Sequence, residues 1–505
     1  MEETPSRRLS RHVRAPWLET FLDVFQTAPD APTDPVYRFK DPWPGDASRG
    51  EILISNEADL FAALGPEPRD RELAKDDARR TRAHSFVWLR DLRSLGGDAA
   101  RQTARRALTT WLETDHRGDR IAWRIDVVGQ RLVAWVGAYD FFAASAGPSF
   151  RSNLMEQTAV HTAWLKKRIG QVSPGSGRFA AIAGLAAGAV AVGAGDKYFS
   201  VIDGIFAAAC RDDIGSDGWV INASPIDQLD TLMRLLDLRA AANAVGWQFR
   251  DNIFEVISAV SGPISALRAG NGGLAVFSGG EGDPWAVDLA LASSGWRGRA
   301  VLDLPNAGYS RALAGRSSAV LSARNGALEF SHGSDRILVS VGSISDAPAP
   351  RYQSDRASVF SAPIAMSSRF LDFNPIERVT DEGASLLTAS YRQARPEIAW
   401  KRRVFLAADG FDLRGEDFME TRSKVEGLVP FHLHPSADAI QIDETSALIR
   451  TSSGQGWRLR ADQPIQLSPE PYRGLPGAPA AGLRIEFSIY PGQTRRWAIR
   501  KETTS

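Results

Sequence analysis

The chain has 505 residues, 43% of them hydrophobic, and balances 60 Lys+Arg against 60 Asp+Glu. A chain this long divides into two or three domains with ample cores, and its zero net charge gives no sign of a nucleic-acid or membrane-surface binder. Cys210 is the single cysteine, so neither an internal disulfide nor an all-cysteine metal site can form.

Residues 1–16 are polar and basic, without the apolar stretch of a signal peptide. The most apolar run, 179–192, is rich in Ala and Gly and too short to span a bilayer; it is expected to be a buried helix. The expectation is a cytoplasmic protein without membrane insertion, with a periplasmic place as the alternative. Residues 1–80 form an entry segment, with a helix over 17–25 and a Pro-rich extended stretch over 32–44.

From about residue 85 to 269 the pattern is helical. Phe86, Leu89, Leu92 and Leu95 recur at helical spacing, as do Ala104, Leu108, Trp111 and Leu112. Further helices are predicted over 131–144, 152–168, 178–192, 198–210, 226–244 and 252–266. Gly96-Gly97, Gly147-Pro148, Pro174-Gly175, Gly195-Asp196 and Ser224-Pro225 break them. Helix pairs on short loops predict an (α/α) toroid or a solenoid, and the lack of a strict repeat counts against the solenoid. Past Gly270-Asn271-Gly272-Gly273, short apolar runs such as 327–330, 337–341, 402–406, 439–442 and 484–489 alternate with turn signals. They predict a large antiparallel β-sandwich. The predicted domains are an entry segment 1–80, a helical domain 81–269 and a sandwich 270–505.

The chemistry centres on Phe431-His432-Leu433-His434-Pro435, which holds two of the seven histidines. Residues two apart on a strand share a face, so His432 and His434 suit metal binding, proton transfer or anion contact. The alternative is one buried, hydrogen-bonded imidazole and one solvated one. Glu416 and Asp417 can pair with Arg402, Arg403 or Arg414, most simply as turn residues in solvated ion pairs. Arg90 and Arg93 lie one helical turn apart, where two guanidinium groups can grip a carboxylate or sulfate, or pair within the helix. Nine of the 14 Trp precede residue 250, as sugar platforms or as helix packing. The Gly-rich run Ser278 to Gly282 is no phosphate loop, because no helix is expected to start at Asp283-Pro284.

Taken in order, these pieces resemble the heparinase II/III-like family, in its short bacterial branch without a signal peptide. The matching elements are Asp41-Pro42-Trp43-Pro44-Gly45-Asp46, Trp88-Leu89-Arg90-Asp91-Leu92, Gln228-Leu229-Asp230, Leu235-Leu236-Asp237-Leu238-Arg239, Gly273-Leu274-Ala275-Val276-Phe277, Gly308-Tyr309, Gly415-Glu416-Asp417 and the His432–His434 segment. The resemblance implies an N-terminal incomplete (α/α) toroid followed by a C-terminal antiparallel β-sandwich. It implies a polysaccharide lyase acting by β-elimination on a uronic-acid-containing, acidic polysaccharide or oligosaccharide. In such an enzyme a Tyr or His takes the C5 proton while a polar group neutralises the sugar carboxylate.

Catalytic roles then fall to Tyr309, Tyr391, His432 and His434, and substrate binding to Arg90, Arg93, Arg311, Arg402 and Arg403. The chain departs from the family pattern where the metal ligands are expected. Arg324, Ser340 and Arg356 or Ala357 stand there, and Trp400 replaces a further histidine. No metal and no cofactor are therefore expected, with Arg324 standing in for the metal's charge. The alternative is a catalytically degenerate member that binds an acidic glycan or a protein partner; a structural, envelope-assembly role is the third reading.

Overall fold

The structure, a computed structural model, describes residues 31–67, 77–277, 279–299, 301–341, 356–358, 371–394, 397–422, 426–475 and 479–502. The helix expected over 17–25 lies outside the described residues. The helical region comprises α1 (Ala47–Ser55), α2 (Glu57–Leu64), α3 (Asp77–Ser85), α4 (Leu89–Leu95), α5 (Gly97–Glu113), α6 (Ile125–Gly137), α7 (Tyr139–Phe142), α8 (Pro148–Arg168), α9 (Ser176–Ala191), α10 (Asp196–Asp213), α11 (Pro225–Val245), α12 (Ile253–Ala266) and α13 (Pro284–Ser294). Among the described residues no helix is long and apolar enough to cross a membrane.

Local chemistry sets the helix starts. The Asp46 carboxylate caps α1 by accepting from the Ser48 and Arg49 amides. Ser224 and Asp227 form a reciprocal capping box at the start of α11, the Ser224 amide donating to Asp227 at 2.9 Å and the Asp227 amide to the Ser224 hydroxyl at 3.3 Å. Two expectations fail locally. Phe86 does not continue a helix into Leu89: it sits at φ 59, between α3 and α4, with its ring wedged among Trp88, Trp111 and Trp135. A helix does start at Pro284, where Pro suits the first turn and the Asp283 carboxylate accepts the Trp285 amide at 3.0 Å.

The chain forms two compact units, and the division runs through α10 and α11. One unit comprises residues 1–173, 177–206 and 237–248; the other holds 174–176, 207–236 and 249–505. Inside the first, α9 is buried on every side from Phe179 to Ala191. Its glycines make this possible. A Cβ on Gly184 would lie 2.3 Å from the Gly129 Cα on α6, and one on Gly188 would lie 2.0 Å from the Thr162 hydroxyl on α8. Gly184→Ala is therefore expected to lower stability by about 1–3 kcal/mol, read as a shifted denaturation midpoint; an unchanged midpoint would mean that the helices separate freely.

The second unit carries the strands β1 (Asp303–Leu304), β2 (Tyr309–Ala314), β3 (Ser317–Ser322), β4 (Leu328–His332), β5 (Asp335–Val339), β6 (Arg356–Ser358), β7 (Leu371–Phe373), β8 (Glu377–Asp381), β9 (Ala384–Ala394), β10 (Glu397–Leu406), β11 (Asp412–Thr421), β12 (Glu426–Leu433), β13 (Asp438–Asp443), β14 (Ser446–Arg450), β15 (Gly456–Ala461), β16 (Gln466–Tyr472), β17 (Ala480–Ile489) and β18 (Thr494–Lys501). The first sheet runs β1-β2-β3-β4-β5-β12-β17-β16, with β6 beside β12. The second runs β13-β14-β15-β18-β11-β10-β9-β7, with β8 beside β9. Apart from the parallel β6–β12 pair, the ladders are antiparallel. Inward residues of both sheets, among them Leu321, Phe330, Phe431, Phe487, Leu413, Trp457 and Ile499, make one core. Trp497 meets Phe431 edge to face at 4.8 Å.

Candidate functional site

On β12, Phe431 and Leu433 point into the sandwich core, so His432 turns to the opposite face. Its Nδ1 lies 2.6 Å from a Glu470 carboxylate oxygen on β16. His434, just past the strand, sits 2.9 Å through Nε2 from Glu281 and 2.7 Å through Nδ1 from the Ser436 hydroxyl. Each imidazole thus has a carboxylate of its own.

Glu281 anchors a buried network. It also accepts the Tyr472 hydroxyl and pairs with Arg336 at 3.0 Å, and Arg336 pairs with Glu329 at 2.8 Å. Glu329 in turn accepts the Val276, Phe277 and Ser340 amides. Burial works to raise the Glu281 pKa, but the His434 hydrogen bond and the Arg336 charge hold it down at about 2. The carboxylates are spent on holding cations and amides in place.

Tyr309 opens β2, with its ring stacked 4.6 Å from Phe277 and 5.5 Å from Trp219. The Arg324 guanidinium lies 5.8 Å from the Tyr309 ring and donates to the Ala307 carbonyl at 2.7 Å. Burial raises the Tyr309 pKa despite Arg324, which is the wrong direction for a general base. The Tyr391 backbone pairs with Trp400 on β10, and its side chain lies outside the described residues.

The arginines expected to bind substrate mostly face inward. Arg90 pairs with Asp41 at 2.8 Å and Asp237 at 3.6 Å, and Arg93 donates to the Trp43 and Gly137 carbonyls. Their partners come from outside the helix, not from Asp91, which accepts from the Asp46 amide and Arg82. Arg311 donates to Ser318 and to the Ser265 and Ala266 carbonyls. Arg402 is buried against Asp417, while its neighbour Arg403 stands on the exposed face with Glu416. Asp417 is no turn residue in a solvated pair: it lies on β11, 0% exposed, and also accepts the Trp497 indole N–H at 2.9 Å. Several tryptophans read as possible sugar platforms, Trp43, Trp88, Trp135 and Trp164 among them, are core residues.

The first unit holds a cluster that no local motif announces. His84 on α3, His116 and Asp119 in the loop after α5, and His161 on α8 gather with Arg80, Arg131 and Trp111. Arg131 lies 4.4 Å over the Trp111 ring and donates to the His84 and Ala122 carbonyls. Burial, reinforced by Arg131, pushes both His84 and His161 down to about 3. Burial opposes ionisation of Asp119, but the nearby His116, the Ala122 amide that donates to it and the Arg80 charge hold it down at about 2.

Among the described residues, His84, His116 and Asp119 are the set able to converge on a metal, with ligand atoms within 4.8 Å of one another. The fit is poor. Arg80 already holds the cation position, 2.5 Å from Asp119 and 3.0 Å from His84 Nε2. The Trp111 indole N–H meets His84 Nδ1 at 3.1 Å, so both ring nitrogens face donors.

Helices followed by an antiparallel sandwich are an arrangement shared with heparinase III and chondroitin AC lyase. The chain superposes on crystalline heparinase III with TM-score 0.63 at 14% identity, over 85% of this chain and 78% of that one. On the chondroitin AC lyase of Streptomyces coelicolor, solved with chondroitin sulphate, the TM-score is 0.57 at 10% identity, over 91% and 80%. At such identities the likeness is one of fold. Residues 297–498 match the heparinase II/III-like C-terminal family, so the sandwich is a heparinase II/III-like C-terminal domain, as the sequence motifs imply. The chain is also similar to FtsZ-localized protein C of Caulobacter vibrioides, 25% identical over 544 aligned residues that cover 97% of this chain and 94% of that protein.

Proposed function

We propose that this chain works by binding, as a lyase-fold protein that has left β-elimination behind, and that its ligand is a partner protein met where FtsZ assembles. The observation that carries the reading is the commitment of the expected catalytic groups. His432 is held by Glu470, His434 by Glu281, Arg90 by Asp41, and Arg402 by Asp417. An arginine must break such a pair before it can grip a substrate carboxylate, and His434, bonded through both ring nitrogens, must break one before it can move a proton; His432 keeps its Nε2 without a partner among the described residues. The relative aligned over nearly its whole length is named for its localisation with FtsZ, which supports a protein ligand. A cytoplasmic place belongs to the same proposal, as does the lack of a resident metal, with Arg80 supplying the positive charge beside Asp119.

The test has two arms. Unsaturated uronate products absorb near 232 nm, and incubation with heparan sulphate, chondroitin sulphate, hyaluronan and alginate is expected to give no rise above the blank. A rise that disappears in His432→Ala would overturn the reading in favour of the lyase. In cells, a fluorescent fusion is expected to follow FtsZ, and a fusion indifferent to FtsZ depletion would remove the protein partner.

A further inference from the structure

The outward face of the second sheet presents an unusual set of charges. Alternation along the strands sends Leu413, Asp417, Trp497, Ile499, Trp457 and Leu459 inward. It sends Arg403, Arg414, Arg458, Arg460, Arg496 and Arg500 outward. The five that hold ion pairs keep 46% to 73% of their side-chain surface in water.

Five of those six cations share three carboxylates. Glu416 serves both Arg403, at 3.2 Å, and Arg496, at 3.0 Å. Asp412 serves both Arg414 and Arg500. Glu502 takes Arg458, and among the described residues no carboxylate pairs with Arg460. Lys401 and Glu420 are also exposed on this face, and Asp462 accepts the Arg496 amide beyond β15.

The register adds a conflict. Arg458 on β15 stands directly opposite Arg500 on β18. Like charges facing each other across a ladder are destabilising. Glu502 on Arg458 and Asp412, shared with Arg414, on Arg500 offset this repulsion in part and leave the face rich in cations.

Resting on the binding role proposed above, we propose that this face docks an extended acidic peptide of a partner protein. Guanidinium groups fork onto carboxylates in two-point contacts that an ammonium cannot make. Alternate side chains of an extended peptide repeat every ~6.7 Å, the same step that separates Arg458 from Arg460 along β15. Phe405 and Phe418 lie half-buried on the same face, where apolar side chains of the peptide can settle between the charges. The peptide's carboxylates then relieve the Arg458–Arg500 repulsion.

The test uses the full chain and a fluorescein-labelled peptide of alternating Glu and Ser, followed by anisotropy. Binding is expected at low ionic strength, weakening as salt is added. The triple variant Arg458→Glu, Arg460→Glu, Arg496→Glu is expected to lose about tenfold or more in affinity. Arg460→Glu alone, which breaks no ion pair, is expected to lose severalfold and guards against a triple variant that does not fold.

No binding at low salt, or equal binding by Arg460→Glu and the parent, overturns the inference. Preferential binding of chondroitin sulphate at the same arginines overturns it too, by assigning the face to a glycan. Uronate release with peptide binding intact would sink the non-catalytic reading and leave this one standing. Absent peptide binding in a lyase-silent protein that follows FtsZ would do the reverse.

Discussion

Lowering the pH from 6.5 to about 5 is expected to destabilise the helical unit, ahead of most protonation of its carboxylates. His161 lies against Trp111, Trp123 and Trp135 with its Nδ1 on the Gln157 carbonyl, and Arg131 adds charge repulsion to the cost of burial. Folded, it titrates at about 3; unfolded, near 6.5. Between those values the unfolded chain binds the extra proton, so stability falls as pH drops through 6.5, and the loss is complete only near 3. For His161 alone the full loss is on the order of 5 kcal/mol. Asp119, held at about 2, contributes its own loss only below the ordinary carboxylate range, between about 4 and 2. The window from 6.5 to 5 therefore belongs to the histidines. Urea midpoints followed by Trp fluorescence should fall across it in the parent. They should fall less in His161→Phe, which keeps the stack on Trp123 and cannot take a proton. Parallel lines for the two proteins would show that His161 is not held neutral.

Arg402→Ala is expected to cost about 3–5 kcal/mol, the usual consequence of leaving one member of a buried ion pair alone. Arg402 and Asp417 are 1% and 0% exposed, joined at 2.6 and 3.1 Å, and the guanidinium also donates to the Gly326 carbonyl at 2.6 Å. The pair sits among Phe431 and Trp497 in the middle of the sandwich. Without Arg402 the Asp417 carboxylate keeps, among the described residues, only the Trp497 indole N–H. The double variant Arg402→Met, Asp417→Leu should recover most of the loss, because it removes both desolvated charges together. Chemical denaturation of the three proteins decides it; a single variant as stable as the parent would mean that water reaches the pair.

Much of the fold is legible in the sequence because it rests on repetition. The apolar run 179–192, the Ser224-Pro225 start of α11 and the alternation in 484–489 are local patterns, and each is matched by an element within a few residues. Where one residue overrides the pattern, reading fails. Phe86 keeps helical spacing with Leu89, yet its ring is drawn into an aromatic nest and the backbone turns left-handed to follow. The candidate sites are less legible because their chemistry is made across the fold. His432 finds Glu470 38 positions away and His434 finds Glu281 153 away, pairings set by strand order and loop paths that no local motif encodes. His84, His116 and His161 lie on three separate segments, and the only hint in the sequence is that scarce histidines share a stretch crowded with Trp.

The all-round burial of α9 bears on how the chain reaches its folded state. A helix with one polar face shows water only a stripe of apolar surface before its partners arrive. The run from Phe179 to Ala191 has no such face, and so close an approach to Gly129 and Thr162 is available only once α6 and α8 are in position. The extended segment at Val36 and Tyr37 then donates its amides to the Ala191 and Val190 carbonyls and closes the far end. Elements from residue 36 to residue 191 must come together for α9 to be sheltered, so the helical unit is built to assemble cooperatively. Until that moment its most oily segment is open to chaperones and to neighbouring chains.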